Sequence, residues 1–179
     1  MELSIIARLA AALGGVAFAT LLVLVETGLT LGLLSNATCI IDHADAEVWV
    51  MPPTTPNFDF SRSLSARKAY QLKVVPGVER VTPLFNCFTM CTTTQGEIIN
   101  AMLVCVDPDT GVGGPWNMKE GRWENLREPN GIIVDETDCA RLGIQKVGDV
   151  LELNDRQARV VGICREALNF TTSPNIFAS

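Results

Sequence analysis

Residues Leu9 to Leu34, LAAALGGVAFATLLVLVETGLTLGLL, carry one formal charge, Glu26. A hydrocarbon core about 30 Å thick takes ~20 apolar residues at 1.5 Å rise per residue, so the stretch reads as a transmembrane helix that exceeds what the bilayer needs. Counted from Leu9, Glu26 falls about 26 Å along the axis, close to the far headgroup layer, where a carboxylate costs far less than at the centre. The last two turns therefore read as a stalk, followed by a hinge over 35–45. A short leader, 1–8, precedes the span.

Other assignments of this stretch fit less well. A secretory signal has a basic start, an apolar run of about 7–15 residues and a small-residue cleavage site. Ser35-Asn36-Ala37 offers a site that would release a secreted protein beginning at Thr38. The apolar run is too long for it, however, and the start pairs Glu2 with a single Arg8. A lipoprotein signal does not fit Asn36-Ala37-Thr38 ahead of Cys39, and a buried soluble helix would need an apolar shell from the rest of the chain. Arg8 before the span and Asp42, Asp45 and Glu47 after it favour an inside N-terminus and an external domain.

A net charge of −6 and a pI near 4.8, with scattered Lys and Arg, exclude a nucleic-acid partner. The six cysteines are too few for a disulfide scaffold and lack zinc-site spacing. They read mostly as buried free thiols, with one disulfide left open. Cys87 and Cys91, four apart on an extended strand, stand about 13 Å apart. The single histidine, His43, reads as a solvated loop residue.

After the hinge, Val48-Trp49-Val50-Met51 reads as a first strand ended by Pro52-Pro53. Thr54 to Arg62 is a loop in which Phe58 and Phe60 pack down or offer a contact, packing being favoured. Ser63 to Val75 is an amphipathic helix stopped by Pro76-Gly77. Val81 to Thr92 has apolar residues on both faces and reads as a central strand, and with Glu97 to Val106 it makes a hairpin around Thr93-Thr94-Gln95-Gly96. Asp107 to Gly111 lacks the alternating oxygen ligands of a calcium loop and reads as a plain turn. Ile132-Ile133-Val134 is a strand, Asp135 caps a helix to Leu142, and Gly143 closes it. Val150 to Leu153 pairs with Ala158 to Cys164. The tail, Arg165 to Ser179, shows no periodicity and looks cut in mid-domain.

The chain thus reads as α+β: one N-terminal transmembrane helix, a β-α-β-β lobe over 46–110, a second, small β-rich lobe over 111–165, and an incomplete tail over 166–179. No phosphate-cradling loop or nucleophile–base pair is present, so nothing argues for an enzyme, a cofactor or a metal. Within the span, Gly28 and Gly32 form a Gly-x-x-x-Gly step, Gly15 lies on the Ala11-Gly15-Ala19 row, and Gly14 precedes it in the chain. These four glycines are helix-packing candidates, because small residues let membrane helices approach closely. Glu26, Phe58, Phe60 and Trp116 are candidate stalk or interface residues.

AEVWVMPP, PNFDFSRSLS, VVPGVERVTPLF, EGRW, GIIVDETDCARLGIQKVGDVLEL and ARVVGIC together resemble the amino-terminal half of MacB/FtsX-like ABC transporter permeases, particularly DevC-type exporters. The resemblance covers nearly the whole chain and implies that the 46–110 lobe is porter-like, with the small β-rich lobe over 111–165 inserted in it. It implies an inner-membrane protein with a periplasmic domain that passes motion from a separate ABC ATPase subunit to an external partner, often a periplasmic adaptor protein. It also implies further permease helices supplied elsewhere, contact with membrane lipid, and a homodimer in the full permease. The chain lacks those helices and the strands that complete the first lobe, so it reads as a fragment, a split subunit or a decayed copy. A single-pass anchored binding or sensor module fits the same composition.

Overall fold

The computed structural model describes residues 2–169, 171 and 173–179. They form two units, Met1–Thr38 and Cys39–Ser179.

The described residues of the first unit are all helical. Its helix, α1, runs from Glu2 to His43, and its last residues, from Cys39 onward, belong to the second unit. Residues 2–8 of the leader and most of the expected hinge over 35–45 are therefore helical, the hinge as far as His43. Its polar residues do not break the helix, and Cys39 and Ile40 earn their place by burial, at 9% and 4% exposure. The hydroxyls of Thr20, Thr27 and Thr30 donate to the carbonyls of Val16, Val23 and Glu26, which satisfies them without water.

The second unit is built on seven strands: β1 (Phe85–Thr92), β2 (Ile98–Cys105), β3 (Met118–Gly121), β4 (Gly131–Asp135), β5 (Val150–Leu153), β6 (Arg156–Cys164) and β7 (Asn175–Ala178). Two short α-helices, α2 (Arg67–Lys73) and α3 (Glu136–Leu142), and a 3-10 turn over Trp123–Arg127 complete it. The strand order is β3-β6-β4-β7-β2-β1-β5, and β5 also pairs with β6. Six strands consequently close into a ring, with β3 added outside β6. Closure covers sheet edges that would otherwise be open.

Alternation along the strands divides the core between the two faces of this ring. One face gathers Cys91, Ala101, Ile132, Val134, Leu151, Val160 and Ile176, with Leu142 and Ile144 from α3 and its exit. The other gathers Met102, Val104, Ile133, Val161, Cys164 and Phe177, covered by Ile40, Phe58 and Leu126. A register shift between Ile132 and Ile133 against β6 inserts one extra residue, so Val160 and Ile163, three apart, serve the same face.

Several expectations change here. The tail holds β7, which lies between β4 and β2 as a parallel partner of β2 and an antiparallel partner of β4. Four residues are too few to show periodicity, and what holds them is central pairing. Strands of the expected 46–110 and 111–165 lobes and of the tail share one sheet, so its connectivity does not follow that division. Val48 to Met51 is extended but forms no strand; Val48 is 77% exposed, because the run has β propensity without a partner ladder. β1 is not central along most of its length, since β5 reaches it only at Cys91 and Thr92. Helix α2 is shorter than Ser63 to Val75 and buries none of its residues, with no side-chain cap from the serines before it. Lacking a packing face, only its middle turns persist.

Other elements form as read. β1 and β2 pair from Phe85↔Cys105 to Thr92↔Ile98 around the expected turn. Asp135 Oδ1 accepts from Thr137 N at 2.8 Å and caps α3, and Gly143 closes it at φ 73°, a left-handed conformation that suits glycine. β5 and β6 are joined by Asn154 and Asp155, both at positive φ as a tight hairpin turn demands. At Asp107 the carboxylate accepts from Asp109 N and the carbonyl from Gly111 N, so the segment is an ordinary turn.

Candidate functional site

The site with the most specific construction in the second unit surrounds the last turn of α1. Ile40 enters the core beside Met102, Val104 and Phe177. One turn on, His43 Nδ1 lies 2.8 Å from the Cys39 carbonyl, a hydrogen bond that its Nδ1–H tautomer donates. The His43 ring stacks on Trp116 with centroids 4.2 Å apart and planes 3° apart. Trp116 in turn meets Phe177 edge-on at 6.2 Å. His43 is thus a packed helix-end residue, not a solvated loop residue; the aromatic that receives it stands far along the sequence, where no local pattern signals it.

The tail fastens the same region. Cys39 Sγ donates to the Glu166 carbonyl at 3.0 Å. Ala167 N donates to Asp135 Oδ2 at 2.8 Å, and the fully buried Asn175 donates through Nδ2 to the Ala167 carbonyl at 2.7 Å. Asn169 Nδ2 reaches both Asn175 Oδ1 and the Ser173 carbonyl. Each of these buried polar groups has a partner, as a dry interior requires. Asp138 sits beside Asp135, and burial, reinforced by the Asp135 charge, raises its carboxyl above the ordinary range.

A second layer anchors the loop before α2. Asn86 on β1 donates through Nδ2 to the Phe58 carbonyl at 2.6 Å and its Oδ1 takes the Ser61 hydroxyl. Phe58 is 9% exposed and meets Trp49 edge-on at 5.8 Å. It is packed into the core. Phe60 is 51% exposed and leans on Phe88 at 5.3 Å.

The structure does not bring the other candidates into this site. Gly14, Gly15, Gly28, Gly32 and Glu26 lie on exposed stretches of α1, and a Cβ added at any of the four glycines meets nothing within 4 Å. They remain available to another helix. At the start of α3, Glu136 is held by Lys119 and by Arg165 Nε at 2.7 Å, and these two partners hold its carboxyl below the usual range. Among the described residues no group of three or more His, Cys, Asp or Glu side chains is arranged to hold a metal ion.

The sequence matches the MacB-like periplasmic core domain over residues 9–179. The chain belongs to that family. MacB-like core domains are parts of ABC transporter permeases, a transport family and not an enzyme class. Among solved structures, the periplasmic region of MacB from Actinobacillus actinomycetemcomitans is similar at 17% identity and a TM-score of 0.49, covering 65% of this chain and 55% of its own. The extracellular domain of the noncanonic ABC-type transporter YknZ from Gram-positive bacteria is similar at 15% identity and a TM-score of 0.49, with 64% and 61% covered. The chain thus spans little more than half the length of these MacB-like domains. No curated protein matches it.

Proposed function

We propose that this chain is a membrane-anchored extracytoplasmic portion of a MacB-like export permease, which passes motion from a separate ABC ATPase subunit to an external partner such as a periplasmic adaptor protein. The observation that carries the reading is α1. Its apolar stretch has a mean hydropathy of 2.1, high enough to cross a membrane, and the same unbroken helix ends with Cys39 and Ile40 buried in the core of the second unit. A helix end held by core packing, a thiol hydrogen bond and a ring stack transmits displacement better than one tethered by a flexible linker.

In this reading the N-terminus is cytoplasmic, the domain is periplasmic, and α1 packs against other permease helices through Gly28 and Gly32 or Gly14 and Gly15. The protein pairs in a homodimer within the full permease. Membrane extraction tests the partnership. A tagged full chain is expected to copurify with an ABC ATPase; recovery of the chain without one contradicts the transporter role.

A further inference from the structure

Cys87 and Cys105 are the two thiols that the β1–β2 hairpin places together. The register sets Phe85 opposite Cys105 and Cys87 opposite Leu103, so the cysteines are diagonal neighbours on one face. It is the face that carries Cys91 and Ala101 into the ring's core, and Leu103 packs against that core beside them. Both are half-buried free thiols. Whereas Cys39, Cys139 and Cys164 donate to carbonyls, Cys87 and Cys105 have no hydrogen-bond partner among the described residues.

Diagonal Cα atoms on antiparallel strands are about 7–8 Å apart, beyond the about 4.4–6.8 Å that a disulfide spans. A cation inserted between the two sulfurs adds two metal–sulfur bonds to the bridge and makes up that difference. We propose that Cys87 and Cys105 form a two-thiol site for a thiophilic monovalent d10 cation of the Cu(I) and Ag(I) class. Thiolates select such soft ions over the harder divalent metals of oxygen sites. On binding, each S–H bond breaks, its proton goes to solvent and the sulfur electron pair forms the bond to the metal. The monovalent cation and two thiolates leave one net negative charge, and no oxidant or reductant is consumed. Burial raises both thiols, and metal binding to them releases protons. This site stands independently of the transport reading.

The test uses the reduced full chain in detergent, incubated with Ag(I) and excess glutathione, then desalted, assayed for silver and alkylated with N-ethylmaleimide before peptide mapping. Retention of one silver per chain with Cys87 and Cys105 protected together is expected. Cys87→Ser and Cys105→Ser should each weaken retention by roughly 100-fold or more, the scale on which chelation exceeds a single contact, while Cys139→Ser leaves it unchanged. Protection of only one of the two thiols, protection of other cysteines instead, or a Cys87–Cys105 disulfide in the isolated chain would overturn the proposal. The protection pattern is read on the unmutated chain and so does not depend on any variant folding.

Discussion

The imidazole of His43 stacks face to face on the indole of Trp116, 4.2 Å between centroids and 3° from parallel, although 73 positions separate them in the chain. Trp116 also meets Phe177 of β7, so the end of α1, the glycine-rich segment and the tail strand share one aromatic contact. Replacing His43 by Ala should cost about 0.5–1.5 kcal/mol beyond the lost area, and Trp116→Ala about 3–5 kcal/mol. Thermal unfolding followed by circular dichroism reads both. Equal melting temperatures for His43→Ala and the parent would show that the stack contributes nothing.

Phe177 and Phe60 make a sharper contrast. Phe177 is fully buried in the ring's outer core, whereas Phe60 is half exposed and touches Phe88. Phe177→Ala should destabilise the domain by about 3–5 kcal/mol and Phe60→Ala by under about 1 kcal/mol. Denaturant midpoints distinguish the two, and a similar loss for both would contradict the placement of β7.

Why β7 escaped a sequence reading is physical. Asn175-Ile176-Phe177-Ala178 is too short to alternate visibly, and its stability comes from strands on both sides and from the Asn175 and Asn169 side chains. Val48 to Met51 is the converse: high β propensity with no ladder to join. The elements that were legible carry their determinants locally, as with the Asp135 cap, the Gly143 stop and the Asn154-Asp155 turn. The apolar span and the MacB-like motifs were legible for the same reason. The contacts around His43 and the Cys87–Cys105 diagonal are long-range products of packing and register.

Asp138 gives the stability a pH dependence of defined sign. Its carboxyl is raised mainly by burial and next by the Asp135 charge, so the folded domain holds this proton more tightly than the unfolded chain. The favourable contribution is present below the ordinary carboxylate range and is lost as pH climbs through the raised folded value. Asp138→Asn, which removes the titration, should flatten that fall in a series of melts from mildly acidic to neutral pH. An unchanged slope would show that Asp138 is not the group responsible.

The cysteines should divide by burial. Cys91 is fully buried and its thiol is pushed up to about 11, and Cys164 is also fully buried and raised. Both should resist alkylation in the folded chain and react on unfolding, whereas half-buried Cys87 and Cys105 should react first. Prompt labelling of Cys91 and Cys164 under native conditions would mean that the ring opens readily.

Protease accessibility in sealed, right-side-out membrane vesicles tests the central claim most directly. An anchored extracytoplasmic domain predicts that external protease cleaves within 44–179 without lysis, at exposed sites such as those around Tyr70, while a tag placed before Met1 stays protected. Protection of 44–179 until the vesicles are lysed, with the N-terminal tag cleaved from outside, would contradict it.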